Sequence, residues 1–462
     1  MRRSLRTILA TALLSGAVGC GWLGPARSKP ALSVLLIVVD SLRADHLGAY
    51  GYLRATSPRI DALAGGGVLF TNAFSQAPWT KPSVASLFTS TYMSVHSVVY
   101  SKQEINGEER TDVLNPKFLT LPEALKTGGF ATAGFGMKIH LQPRFGFDQG
   151  FDAYDMHARR ADKINRRTLD WLRQKDPDKF FIYLHYNDPH YPYLPRPGYA
   201  RFGATTARVQ IDGVTKKAFR EGRLTLSRED VSQLVDLYDG EVLYTDEQIG
   251  RLLDAVAKMG YENVLTILTA DHGEEFLDHG SITHGQSLYN ELVHVPLIMG
   301  GSAFSREGSS MRKGRIADTV QLIDVMPTLL AMAGLPEPPG MQGRSLTSYL
   351  SGPAEPAGQP VAMFSERRAP TDTGFWHTIF DGRWKLIHDP TAGRTMLFDI
   401  AADPGETVSL EESNPDVAAG LTRLLAAWAE ANRKLHDSIR PEDTAPLDPE
   451  TEQRLRSLGY VD

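Results

Sequence analysis

Three apolar, β-rich runs stop at polar residues able to carry chemistry, and this pattern constrains the fold of the 462-residue chain more than any other feature. Leu32-Ser33-Val34-Leu35-Leu36-Ile37-Val38-Val39 stops at Asp40, Phe180-Phe181-Ile182-Tyr183-Leu184 ends near His185, and Val264-Leu265-Thr266-Ile267-Leu268-Thr269 ends just before Asp271-His272. Nearly continuous apolar runs of this length suit strands buried on both faces. Between the second and third runs, Val231, Leu234, Leu237, Val242, Ile249, Leu252, Leu253 and Val256 recur at intervals that mostly suit one face of a long helix. Strands alternating with helices predict an α/β chain with a large, mainly parallel sheet and helices on both faces. In such sheets polar residues directly after strands gather along the carboxyl edge, where ligands bind, so Asp40, Asp271 and His272 are expected to meet.

The rest of the chain predicts four parts. Arg2, Arg3 and Arg6 precede an apolar stretch from Ile8 to Leu14 and small residues up to Cys20, the layout of a secretory signal. Ala17-Val18-Gly19-Cys20 resembles a bacterial lipobox, and Cys20 is the chain's single cysteine. Residues 1–20 therefore read as a lipoprotein signal peptide, with lipidation at Cys20 anchoring an exported protein to a bacterial membrane. Residues 21–30 read as a tether, 31–350 as the catalytic domain, and 360–462 as a smaller unit set off by Pro/Gly-rich stretches around 336–340 and 352–360. In that unit Phe375–Ile387 and Thr395–Ile400 look like short antiparallel strands, 415–435 a helix, and Leu447–Asp462 a terminal helix with Leu455 and Leu458 on one face. Residues 200–228 are polar and irregular, an insertion expected beside the site. One cysteine excludes internal disulfides and thiolate metal sites. A net charge of −6 without a long basic run argues against nucleic acid as a partner.

Asp40, Thr80 in Thr80-Lys81-Pro82-Ser83, Asp271-His272 and His284 in Thr283-His284-Gly285 are the chemistry-bearing residues. Each alone has an ordinary use: a strand-end Asp as a cap, Thr80 as an N-cap two residues before Pro82, Asp271-His272 as a buried pair. Together, carboxylates and an imidazole make a site for one divalent metal ion. A mixed oxygen and nitrogen set favours zinc or manganese, with calcium still open. A hydroxyl beside such an ion ionises more easily, which makes Thr80 a candidate nucleophile.

The chain resembles the sulfatase family of the alkaline phosphatase superfamily. The resemblance lies in Val39-Asp40-Ser41-Leu42-Arg43-Ala44-Asp45-His46-Leu47-Gly48, Lys138-Ile139-His140-Leu141, Asn187-Asp188-Pro189-His190, Ala270-Asp271-His272-Gly273-Glu274, Leu292-Val293-His294-Val295-Pro296, Pro327-Thr328-Leu329-Leu330 and Gly343-Arg344-Ser345-Leu346. It extends to Trp384-Lys385-Leu386 and Leu397-Phe398-Asp399-Ile400, so it covers roughly residues 32–410. The resemblance implies an alkaline phosphatase/sulfatase-like sheet plus a small C-terminal antiparallel sheet with a helix. It departs at the nucleophile: the family carries Cys or Ser followed by x-Pro-x-Arg, the first residue becoming formylglycine, whereas here Thr80 comes first and Val84 replaces the arginine. Oxidation of threonine at Cβ gives a ketone, so no formylglycine is expected.

Threonine at this place resembles the phosphoryl-transferring relatives, phosphoethanolamine transferases and certain phosphodiesterases. By that analogy Asp40, Thr80, Asp271 and His272 hold the metal and Thr80 attacks phosphorus. Lys138, His140, His190 and His284 surround the nonbridging oxygens or protonate the leaving group, His190 being the stronger acid candidate, and Lys81 touches an oxyanion or lies in solvent. Three functions stay open: a hydrolase or transferase of phosphate mono- or diesters, a sulfatase without formylglycine, and an inactive lipoprotein that binds anionic ligands. The partners expected are a small-molecule, glycan or lipid-headgroup ester and, through the anchor, a membrane.

Overall fold

A computed structural model describes residues 28–99, 103–105, 108–158, 160–351, 361–368, 374–440 and 444–457. The expected signal peptide, with Cys20, and the expected tether up to residue 27 lie outside the described residues, as do 352–360 and Leu458. Lys29, within the stretch expected to be a tether, bridges Tyr261 in parallel and its ammonium pairs with Asp176. Among the described residues no helix is long and apolar enough to cross a membrane.

The three apolar runs form the centre of an eight-stranded sheet. Its strands are β1 (Ser33–Val39), β2 (Val68–Phe74), β3 (Ala131–Gly136), β4 (Ala153–Asp155), β5 (Phe180–Tyr186), β6 (Val264–Ala270), β7 (His294–Gly300) and β8 (Gly314–Gln321). Their spatial order is β8-β2-β7-β6-β1-β5-β3-β4. Every residue of β1, β5 and β6 is buried, the condition of a sheet covered on both faces. The pairing is mainly parallel as expected, with one reversal: β7 runs antiparallel to both β2 and β6. The helices that matter for the site are α1 (Thr80–Thr89), α2 (Gly213–Arg220) and α3 (Arg228–Ala257). The last is the long helix expected from the apolar spacing, capped by Ser227, whose side chain accepts from the Asp230 N–H.

The C-terminal unit is a four-stranded antiparallel sheet, β9 (Met363–Arg367), β10 (Trp376–Phe380), β11 (Trp384–Asp389) and β12 (Arg394–Asp399), in that spatial order. One face packs Ile379, Leu386 and Leu397 against Ala418, Leu421 and Leu425 of α4 (Pro415–Ile439). The other packs Phe380, Ile387 and Phe398 against Phe74, Leu288 and Leu292 of the catalytic domain.

Inside this seam Lys385 and Glu406 form a fully buried ion pair at 2.7 Å, and Lys385 also donates to Asn290 Oδ1 at 2.9 Å. Removing one partner leaves the other as an uncompensated buried charge. Glu406→Ala is therefore expected to destabilise the protein by about 3–5 kcal/mol, read from urea unfolding. His279 crosses the same seam. Its ring stacks on Tyr289 with centroids 3.5 Å apart, and its nitrogens reach Glu291 Oε1 at 2.7 Å and the Glu406 carbonyl at 3.1 Å. Burial opposes the charge, but Glu291 outweighs it and raises the imidazolium pKa from 6.5 to about 9. A histidine pKa raised by folding gives stability that is complete below the unfolded value and lost as pH rises through the folded one. The melting temperature should thus fall between about pH 6.5 and about pH 10 by more in wild type than in His279→Gln; parallel curves would refute the assignment.

The tail closes back on the catalytic domain. Thr444–Pro446 pairs antiparallel with Glu108–Asp112, and the helix α5 (Pro449–Ser457) follows. Leu447 and Leu455 bury against Ile139, the residue between Lys138 and His140.

Candidate active site and metal centre

The register of the central strands brings the distant polar residues together. Val39 lies opposite Tyr186 on one side and Ala270 on the other, so Asp40 and Asp271 leave the same edge side by side. One residue before the end of β5, His185 pairs with Val38. Two kinds of local geometry then aim the side chains. Ser41, with φ of 57°, turns the chain sharply after Asp40, and its N–H points at Asp271 Oδ1 at 3.4 Å. Thr283, with φ of 68°, bends the loop before His284; a β-branched residue in this conformation marks a strained functional turn. Gly273 permits a close approach, since a Cβ there would lie 1.9 Å from the Glu291 carbonyl oxygen.

Thr80 is the first residue of α1, and Trp79 occupies the N-cap position, so the hydroxyl is not used as a cap. It lies 3.3 Å from His272 Nε2 and hydrogen-bonds the Asp271 carboxylate. Ser75 and Ser83 both donate to the Asp271 carbonyl, at 2.5 Å and 2.7 Å, tying the first turn of α1 to the end of β6. Val84, where the family's arginine would stand, is fully buried in the core.

The donors suit a divalent cation. Ligand atoms of Asp40, His185 and Asp271 all lie within 4.8 Å of one another. His272 Nε2 is 3.5 Å from both Asp40 Oδ1 and Asp271 Oδ2. Asp271 Oδ2 and His185 Nε2 are buried without a hydrogen-bond partner, which a cation would satisfy. Burial pushes the carboxyl of Asp40 up to about 7, against the opposing pull of Lys138, and that of Asp271 up to about 6. Two such carboxylates at one spot call for positive charge. The Nδ1 atoms are held from outside, that of His272 by the Gly273 carbonyl at 2.8 Å and that of His185 by the Tyr183 hydroxyl at 2.6 Å, leaving Nε2 of each for the ion. The residues thus fit the expected mixed oxygen and nitrogen set of Asp40, Thr80, Asp271 and His272, and the structure adds His185.

Around this centre lie the other expected residues. Lys138 forms an ion pair with Asp40. His140 is buried edge-on to Trp79 with centroids 5.9 Å apart. The His284 ring is tilted against those of His272 and His190, with centroids 4.2 Å and 5.1 Å away, and its Nδ1 meets Glu274 Oε1 at 2.9 Å. His190 gives its Nδ1 to the Tyr191 carbonyl at 2.6 Å. Burial holds His140, His190 and His284 well below the ordinary histidine range and pushes the Glu274 carboxyl up to about 8.

Lys81 is not where the sequence reading put it. It is fully buried, not solvated, and its ammonium donates to the Thr111 hydroxyl at 2.6 Å and to the Asp112 carbonyl instead of addressing an oxyanion. Its partners come from a strand 30 and 31 residues further along the chain, and its charge, after burial and Lys138, lowers the proton affinity of His140. Four neighbours had been given no role from the sequence. They are His185, Glu274, Tyr191 and Lys216, the last reaching the site from the 200–228 insertion.

Residues 33–335 match the family model described as Sulfatase. The chain belongs to the sulfatase family. This sulfatase-family chain also matches, over residues 278–430, the model for the C-terminal part of N-sulphoglucosamine sulphohydrolase. Among curated relatives, arylsulfatase K of Mus musculus is 24% identical over 86% of this chain and 79% of its own length. The multifunctional alkaline phosphatase superfamily protein PehA of Trinickia caryophylli is 25% identical over 82% of this chain and 91% of its own. Two solved structures share the fold. The 2-O GAG sulfatase BT1596 has a TM-score of 0.72 at 21% identity, covering 94% of this chain and 97% of that one. The phosphonate monoester hydrolase of Agrobacterium radiobacter has a TM-score of 0.68 at 22% identity, covering 87% and 96%. The chain is a sulfatase-family hydrolase of the alkaline phosphatase superfamily.

Proposed function

We propose that this hydrolase attacks phosphate mono- or diesters with Thr80 as the nucleophile. The observation that carries the reading is the Thr80 hydroxyl, held between His272 Nε2 and the Asp271 carboxylate at the start of α1, in a site with no cysteine to oxidise. A divalent cation held by Asp40, Asp271, His272 and His185 would supply Lewis acidity, favouring the ionised hydroxyl and neutralising nonbridging oxygens.

The protein's own groups supply the rest. Asp271, already accepting the Thr80 hydrogen bond, is the first stop for the hydroxyl proton. Thr80 Oγ1 forms a bond to phosphorus as the bond to the leaving oxygen breaks. Lys138 and His140 provide positive charge and a donor near the nonbridging oxygens, which is what a phosphoryl-transfer transition state needs. His284 is the better proton donor to the leaving oxygen, because the Glu274 carboxyl behind Nδ1 can replace the proton that Nε2 gives up. His190, with Nδ1 committed to a carbonyl and its charge disfavoured by burial, serves as a neutral partner. Water then attacks the phosphothreonine, giving a proton back to the His284–Glu274 pair as the bond from phosphorus to Thr80 Oγ1 breaks, and Oγ1 takes back the proton held by Asp271. An alcohol in place of water would make the same chain a transferase.

Sulfate esters form the second reading, favoured by the family match and by curated relatives named arylsulfatase. The separating experiment is a panel of aryl phosphate monoester, phosphodiester, phosphonate monoester and sulfate with purified protein and added zinc or manganese. Phosphorus esters should turn over faster than the sulfate; the reverse order would favour the second reading. Export and anchoring through Cys20 belong to the proposal and rest on the sequence of residues 1–20.

A further inference from the structure

Ile139 is buried by the tail of the chain, residues 444–457, and not by the core of the domain that carries it. It is 3% exposed, and the buried apolar residues clustered with it are Leu447 and Leu455. Leu141, two residues further on, packs into the main core instead. The turn that presents Ile139 has little of its own to fix it. Ile139–Leu141 is a single short turn without a side-chain cap, closed by the Leu141 N–H donating to the Lys138 carbonyl at 3.2 Å. On either side of Ile139 stand Lys138, whose ammonium pairs with Asp40, and His140, edge-on to Trp79. The tail thus packs on the apolar side chain between two residues of the site.

The same tail braces the strand that holds the neighbour of the nucleophile. Where Thr444–Pro446 pairs with Glu108–Asp112, Ala445 lies opposite Thr111 and Thr444 opposite Asp112. Those two residues receive the ammonium of Lys81, next to Thr80. Arg110 fastens the pairing, donating to the Thr444 hydroxyl at 2.7 Å and to its carbonyl at 2.8 Å, and Arg144 pairs with Asp448. The Asp448 carboxylate accepts from the Thr451 N–H at 3.0 Å at the start of α5, the helix that carries Leu455. A three-residue ladder, an ion pair and two leucines are a light attachment, and a terminal segment held in this way opens at lower free energy than the sheet. Its release would uncover Ile139 and leave the strands that carry Asp40 and Asp271 in place.

We propose that the tail is a positioning clamp for the active site: Leu447 and Leu455, by burying Ile139, hold Lys138 and His140 in place, and the site is complete only with the tail docked. Neither leucine touches a reacting group. Both act through Ile139, and a misplacement of about 1 Å in a catalytic group costs on the order of 100-fold in rate. The inference rests on the proposed function for the roles of Lys138 and His140 around the nonbridging oxygens. It does not require a choice between phosphorus and sulfur, since both transferred groups carry such oxygens.

The test is a double-mutant cycle in the full metal-loaded chain, pairing Leu455→Ala with Lys138→Ala/His140→Ala. It reads kcat on whichever ester of the panel turns over fastest, and the calorimetric affinity for inorganic phosphate where a variant no longer turns over. Leu455→Ala should lower kcat by about tenfold or more, with bound metal and circular dichroism unchanged. Leu455→Met should keep most of the rate, and Gln453→Ala, on the exposed side of α5, all of it. In the Lys138→Ala/His140→Ala background, Leu455→Ala should cost less than about twofold, because the groups it positions are already gone. Full activity and phosphate affinity of that background by itself would refute the roles given to Lys138 and His140, and the inference with them. If the background is impaired, the same loss from Leu455→Ala with and without it, or wild-type kcat and phosphate affinity in Leu455→Ala, would overturn the inference alone.

Discussion

Thr80→Ala should lower turnover of the best phosphate ester by at least about a thousandfold, because a nucleophile cannot be partly replaced by the groups that assist it. The variant should fold normally. The hydroxyl caps nothing, and the first turn of α1 is tied down by Ser83, not by Thr80. Thr80→Ser, which keeps an oxygen at the same position, should recover a measurable part of the rate. A small effect of Thr80→Ala on turnover, with metal content unchanged, would move the chemistry to a water molecule and remove the covalent step.

The second large effect is expected at Asp271. Asp271→Asn keeps the shape of the side chain and removes its charge, so the protein should lose its bound metal by elemental analysis while retaining its circular dichroism spectrum. Changing partners that merely orient a metal ligand costs about 10–100-fold, so loss of the ligand itself should cost at least about 100-fold in activity. The same site makes stability depend on metal. Wild type loaded at about a hundred times its dissociation constant gains about 2.7 kcal/mol over chelated protein, a shift that Asp271→Asn should not show. Equal melting shifts in the two proteins would place the metal elsewhere.

Much of this site was legible because parallel strands translate sequence into position. Each of β1 and β6 is an apolar run whose last residue is followed at once by a polar one, and in-register pairing does the rest. His185 escaped the same logic because it lies inside its strand, where a histidine reads as a buried core residue. Lys81 read as solvated or as touching an oxyanion because its observed partners, Thr111 and Asp112, lie 30 and 31 residues away in sequence. Lys216 was hidden for a third reason. In a polar insertion one lysine among many looks solvated, and only the packing of α2 against Tyr191 distinguishes it from Lys217. The reversal of β7 was similarly invisible, since its apolar run fits either direction in a sheet covered on both faces.

The family alone would suggest formylglycine chemistry, and this chain has a threonine where that chemistry begins. The deciding measurement is therefore peptide mass spectrometry after brief exposure of wild type to a reactive aryl phosphate ester and an acid quench. The account predicts the added mass of the transferred phosphoryl group on the peptide containing Thr80, with fragmentation locating it on that residue and none appearing in Thr80→Ala. Rapid turnover with Thr80 unmodified at every time sampled, or the adduct on another residue, would contradict it.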